Sequence, residues 1–464
     1  MRYFSLMETF KNLYEQAKSF ILDDYFTLLK FPSISSEIEH KQEVLHCCNW
    51  IKNYLKNIHF EVETWESPRQ NKGHPVIFAQ ALNPKAKHTL LIYHHYDVQP
   101  VDPLSEWKSP PFEPTIRDGN VYARGASDNK GQLSYTLSAL KHYQESIGPL
   151  PINVKLLIEG EEECGSASLS ALLQKHEKQL LADSIVIIDS GLKAEQTPTL
   201  ALGARGLFTF DLTLTGPKGD LHSGSHGGVV PNPIHLLCSL VASLHDEEGK
   251  VTVPHFYDSI EPLSAADHAL LDLNFDLSQY TLHFGPPTGG EKAYSPNVRA
   301  WLRPTLEVNG IYGGYTGEGF KTVLPSKAHA KISCRLVSGQ KPQEIADLVI
   351  NHIKQIAPKD CQLEIHLHPG SGSAFLSSPQ TRVAIAFQKA QEELYQKPCS
   401  FVLMGGSIPI GARLQQSAKG DLLLFGTALE TDQFHAPNEH FALKRHRDGF
   451  CIVCRTLELL ENKE

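Results

Sequence analysis

The stretch Leu90-Leu-Ile-Tyr-His-His-Tyr-Asp-Val-Gln-Pro100 starts as an unbroken apolar run and ends in two imidazoles and a carboxylate. Apolar residues on both faces of so short a segment describe a strand buried in a parallel sheet. Polar side chains where that strand stops place chemistry at the sheet edge on which α/β folds build their sites. The pattern recurs twice. Ile152 to Ile158 runs into Ile158-Glu-Gly-Glu-Glu-Glu-Cys-Gly-Ser166, and Ile185 to Ile188 runs into Asp189. Helix-like segments alternate with these strands, so the spacing predicts an α/β domain with a mixed β-sheet flanked by helices.

Working outward, the pattern changes at Leu207, where Phe208, Phe210, Leu212 and Leu214 alternate with Thr209, Asp211, Thr213 and Thr215. That is a half-solvated, antiparallel-type strand. A helix through Ile234, Leu237, Cys238, Val241 and Leu244, a strand near Ala330 to Leu336, a helix near Gln343 to Ile356 and an alternating strand Leu363, Ile365, Leu367 follow. After residue 370 the α/β pattern returns, with a helix near Gln380 to Tyr395 and a strand Leu422 to Phe425. The expected organisation is a discontinuous domain, 1–206 and 370–464, carrying an inserted α+β domain, 207–369, with a small antiparallel sheet. At the N-terminus, Phe10, Leu13, Tyr14, Ala17, Phe20 and Ile21 fall at helical spacing and predict an amphipathic helix.

Composition narrows the function class. A net charge of -9, from 43 Lys and Arg against 52 Asp and Glu, argues against a nucleic-acid surface. No apolar stretch is long enough to span a bilayer and no signal-peptide pattern opens the chain, so a cytoplasmic protein is expected. The 9 cysteines show no framework spacing. Cys451 and Cys454 lie in a helix-like run with no second pair to complete a zinc site, which favours core packing.

Five scattered segments carry the chemistry. His95 and Asp97 are two apart on one strand, so imidazole and carboxylate share a face, and the carboxylate can orient a metal-bound histidine. Asp128, in Tyr122-Ala-Arg-Gly-Ala-Ser-Asp-Asn-Lys-Gly131, by itself reads more readily as a helix N-cap than as a ligand, although a carboxylate with two oxygens can bridge two cations. Four of the five residues from Glu159 to Glu163 are acidic directly after a buried strand, a crowding that cations or protons must offset. Asp189 ends its strand in the same way. His435 lies in the loop Gln433-Phe-His-Ala-Pro-Asn-Glu439, after the last strand. Each alone admits a plain structural reading; at one edge of one sheet they form a site. Imidazoles beside carboxylates suit zinc better than calcium or magnesium.

These motifs, with Asp220-Leu-His-Ser-Gly224 and Gly405-Gly-Ser-Ile-Pro409, resemble those of the aminoacylase/carnosinase family of dinuclear zinc exopeptidases, its bacterial dipeptidase members above all. The likeness spans nearly the whole chain, in order. It implies two zinc ions, with manganese or cobalt as alternative occupants. Asp128 would bridge them, His95 and Asp189 would complete one site, and Glu163 and His435 the other. Asp97 would support His95, and Glu162 would be the general base, leaving Glu159 and Glu161 as bystanders. The resemblance further implies a homodimer in which His222, from the partner's inserted lid/dimerisation domain, stabilises the oxyanion, with Arg335 and Ser407 anchoring the carboxylate of a small peptide. One departure stands out: His94 occupies a position where relatives commonly carry a small residue such as Gly, and there it would crowd the strand edge or offer an extra ligand.

Within the family, an aspartate at the position of Asp189, the size of the insert and the stretch Gly310-Ile-Tyr-Gly-Gly-Tyr-Thr-Gly-Glu-Gly-Phe-Lys-Thr-Val-Leu-Pro325 favour a dipeptidase. An N-acyl-amino-acid deacylase or carboxypeptidase is the alternative. A non-catalytic metal-binding scaffold is the rival from another class, which an intact Glu162 speaks against.

Overall fold

The computed structural model describes residues 2–69 and 73–461. The chain divides into two compact units. One comprises the chain up to Gly203, Ser377–Val402 and the part from Ile410 onward; the other comprises Ala204–Leu376 and Leu403–Pro409. Residues 403–409, placed with the first domain by sequence pattern, therefore cluster with the second. Arg205 is the reason. Its Nε donates to the Gly405 carbonyl at 2.7 Å, and Ser407 Oγ donates to the Gly206 carbonyl at 2.9 Å.

In the first unit the strands run in the spatial order Glu61–Trp65, Val76–Ala81, Asn153–Glu159, Thr89–His95, Ser184–Ile188, Asp421–Phe425, Thr199–Ala204. The middle four are mutually parallel, and the neighbours on either side are antiparallel, giving a mixed sheet. The interior of the parallel set is buried throughout, and Lys155 within it is accommodated by donating to the Gln179 and Leu181 carbonyls at 2.7 Å. The register sets His95 beside Glu159 and Tyr93 beside Ile187, so the strands end together at one edge. Helices Arg2–Leu29, Lys130–Ser146, Arg382–Tyr395 and Leu443–Leu460 pack against one another beside the sheet.

Along the first helix Phe10, Leu13, Tyr14, Ala17 and Ile21 are buried, while Phe20 is 66% exposed. At about 100° per residue Phe20 lies roughly 80° from Phe10, at the margin of the apolar stripe. Cys451 and Cys454 are buried free thiols on the last helix, and all nine cysteines are free.

The second unit is a four-stranded antiparallel sheet in the order Thr305–Gly313, Lys327–Leu336, Gly206–Thr215, Gln362–Leu367. Phe208, Phe210, Leu212, Leu214, Ile332 and Cys334 face a core closed by helices Pro233–Ala242 and Pro342–Ile356. The edge strand Thr305–Gly313 went unread in the sequence because a register shift between Val308 and Gly310 breaks its alternation. The glycine-rich stretch is thus strand up to Gly313, and its Val323–Leu324 pairs with Leu221–His222.

Candidate metal centre

Six of the expected residues converge where the parallel strands end. His95, Glu162 and Asp189 offer ligand atoms within 4.8 Å of one another, and so do Asp128, Glu163 and His435. Asp128 faces both groups. Its Oδ1 is 3.1 Å from His95 Nε2, and its Oδ2 is 3.0 Å from His435 Nε2. A carboxylate presenting one oxygen to each histidine has the geometry of a bridge. His435 Nε2 also meets Glu163 Oε2 at 3.1 Å, and Asp189 Oδ1 lies 3.7 Å from His95 Nε2.

Around these groups the backbone is fixed by hydrogen bonds. Asp97, fully buried, accepts from the Glu162 and Glu163 amides at 3.3 and 3.1 Å and from Ser35 Oγ at 2.6 Å, with Oδ1 3.4 Å from His95 Nδ1. It therefore ties the His95 strand to the acidic loop. Gln99 Nε2 donates to Glu163 Oε2 at 2.8 Å. Among the described residues, nothing donates a hydrogen bond to the Glu162 carboxylate, which distinguishes it from Glu163 beside it.

Crowded acids and imidazoles shift one another's proton affinities. Burial pushes Glu162 well above the usual carboxylate range, and the neighbouring Asp189, Glu163 and Asp128 charges add to it against His95. Burial, then Asp128, pushes Glu163 up to about 7. The Asp128 and Glu163 oxygens raise His435 to about 11. His95 is raised despite its burial, by Asp128, Asp189 and Asp97, and Asp128 is held low, against burial, by the two histidines. Protons here offset a cluster of negative charge, the task a divalent cation performs when bound. Each triad offers one imidazole and two carboxylates, a donor set that could hold a borderline divalent cation.

Three neighbouring residues are scaffold. Glu159 and Glu161 are buried struts. Glu159 accepts from Tyr93 and from Ser166 Oγ, the latter at 2.8 Å, and burial pushes it to about 8. Glu161 accepts from the His74 amide at 2.6 Å and from Ser168 Oγ at 2.8 Å. His94 is no extra ligand, since its ring nitrogens lie 2.7 Å from Asn129 Oδ1 and 3.0 Å from Thr136 Oγ1, and burial lowers it to about 3.

Glu439, within the quoted 433–439 motif but given no role there, organises the loop that carries Asp128. Its Oε1 accepts the Ser127 and Asp128 amides at 2.8 and 3.0 Å, and its Oε2 accepts the Gly125 amide and Arg124 at 2.8 Å. At the other end of the His435 loop, Asp432 accepts from Ser127 Oγ at 3.0 Å and from Arg445 at 2.6 Å.

The remaining expected residues lie in the second unit. Arg335 is half-buried opposite Thr305 and Leu207, on the face away from the core. Among the described residues it has no hydrogen-bond or ion-pair partner. His222 is exposed, and its Nδ1 accepts the Gly224 amide at 3.0 Å, so a neutral ring carries its proton on Nε2. The Ser407 hydroxyl donates to the Gly206 carbonyl.

The sequence model of peptidase family M20/M25/M40 matches residues 91–459. The chain is 29% identical over 455 residues to the Cys-Gly metallodipeptidase dug1 of Schizosaccharomyces pombe, covering 93% of this chain and 94% of that protein. Among solved structures, the di-peptidase Dug1p from Saccharomyces cerevisiae superposes with a TM-score of 0.86 at 25% identity, covering 98% of both chains. The M20 family metallo-carboxypeptidase Sso-CP2 from Sulfolobus solfataricus does so with a TM-score of 0.85 at 33% identity, covering 95% of this chain and 99% of that one.

Proposed function

The chain belongs to peptidase family M20/M25/M40, and from that membership we propose how it works as a metallodipeptidase: it hydrolyses dipeptides at a dinuclear zinc centre. The observation that carries this reading is Asp128, with one oxygen turned to each of two histidine-carboxylate groups. His95 and Asp189 would hold one ion and Glu163 and His435 the other, with Asp128 shared between them. Two zinc ions there would supply an acidified water and an electrophile for the scissile carbonyl. Glu162, unpaired beside them, takes the water's proton during attack and returns it to the departing amine. Asp97 keeps the His95 ring turned towards its ligand position through the Nδ1 side.

The second unit supplies substrate contacts. A free, half-buried guanidinium has the fork geometry that grips a carboxylate, and Arg335 fills that role. Ser407 joins it by turning its hydroxyl away from Gly206. His222, with its proton on Nε2, donates to the developing oxyanion, usually the largest single catalytic contribution. Delivery of His222 by the partner subunit makes the enzyme a homodimer. The exposed Val308, Ile311 and Tyr312 of the edge strand support such pairing. No helix among the described residues is long and apolar enough to cross a membrane, and with nine free cysteines a cytoplasmic location is the reading adopted.

Dipeptides, blocked dipeptides and N-acyl amino acids incubated with the zinc-, manganese- and cobalt-loaded enzyme test the substrate class. Free dipeptides are expected to be cleaved fastest. Faster release from N-acyl amino acids would make it a deacylase, and no release from any of them would leave only a metal-binding scaffold.

A further inference from the structure

His94 and His95 are successive residues at the end of one strand, so their rings project to opposite faces. His95 turns to the metal centre. His94, fully buried, turns to Asn129, whose Nδ2 donates at 2.8 Å both to the Ile188 carbonyl and to Asp189 Oδ1.

Counting donors assigns every proton along this line. The Ile188 carbonyl and the Asp189 carboxylate only accept, so the Asn129 NH2 must face them. Asn129 Oδ1 then faces His94 Nδ1 at 2.7 Å and requires a donor, which places the imidazole proton on Nδ1. His94 Nε2 lies 3.0 Å from Thr136 Oγ1, whose hydroxyl donates to the Gln132 carbonyl at 2.9 Å. The result is a chain of donors, His94 to Asn129 to Asp189.

We infer that His94 is a positioning residue for Asp189: its Nδ1–H anchors Asn129 Oδ1, so that the amide oriented by the Ile188 carbonyl is held where its N–H meets the Asp189 carboxylate. A small residue at 94 leaves Asn129 Oδ1 buried without a donor and the amide anchored on its NH2 side alone. The side chain that crowds the strand edge therefore fixes the plane of a carboxylate on the opposite face. This inference rests on the reading of Asp189 as a ligand.

The test uses the full-length protein. In the metal-free enzyme, nitrogen-15 NMR of the imidazoles should give an Nδ1–H tautomer that disappears in His94→Leu, a variant that fills the space without donating. In competition with a zinc chelator, His94→Leu should weaken one of the two zinc equivalents about 10- to 100-fold, as loss of an outer hydrogen-bond partner commonly does, and spare the other. His94→Gln, which keeps an N–H donor, should restore most of that loss. An Nε2–H tautomer in the unaltered protein, or a folded His94→Leu with both zinc affinities unchanged, overturns the inference. Asp189→Asn separates it from its premise: weakened zinc there with His94→Leu unaffected refutes only the relay, whereas unchanged zinc in Asp189→Asn refutes the ligand assignment itself.

Discussion

The two halves of the metal centre differ in what holds them. His95 and Asp189 stand at the ends of neighbouring parallel strands, and His95 is fully buried. Glu163 stands in the short helical turn Glu162–Cys164 with its side chain buried, and His435 stands on a loop with its side chain 53% exposed. Sheet register aligns the first pair directly. The second half is held by buried acids, Glu439 under the Asp128 loop and Asp432 at the far end of the His435 loop.

Removing what the halves share should have the largest effect. Asp128→Ala leaves two histidines and three acids without their common partner, and both zinc equivalents should be lost with activity falling to the background rate. Elemental analysis after gel filtration checks this; two retained ions would remove Asp128 from the bridging position. Next comes the brace of the loop half. Glu439→Ala strands the buried Arg124 charge and three backbone amides, and should cost about 3–5 kcal/mol of stability, read by urea unfolding. Glu439→Gln, which still accepts on one side, should cost less. A Glu439→Ala protein as stable as the parent would mean that the loop is held by other contacts. The smallest effect sharpens the contrast: His435→Ala should release one zinc equivalent from the exposed half and keep the other, whereas His95→Ala should disturb both through Asp128. Equal losses in the two variants would dissolve the distinction between the halves.

Legibility in the sequence follows the same division. Strands buried on both faces must be apolar throughout, so Thr89–His95 and Ser184–Ile188 announced themselves, and their last residues became candidates. The antiparallel strand Gly206–Thr215 was equally clear, since one face packs and the other meets water. What could not be read were partnerships across long chain separations. Glu439 meets the Asp128 amide from 311 positions away, and nothing local in Asn438-Glu439 signals a backbone acceptor. The acidic run 159–163 was visible as crowding, but which acids face the metals and which brace the fold depends on Tyr93, Ser166, His74 and Ser168. Arg205, which binds the 403–409 loop to the second unit, looked like any arginine before a glycine. His94 looked like a misfit until its neighbours were in place.

Glu162 is the group on which the catalytic account turns, and Glu162→Gln tests it most directly by pairing zinc stoichiometry with dipeptide turnover on the same preparation. Two zinc ions per chain are expected, with turnover reduced by at least the roughly 10²- to 10⁴-fold that a positioned base contributes. Two bound ions with undiminished turnover would contradict the assignment of Glu162 as the base.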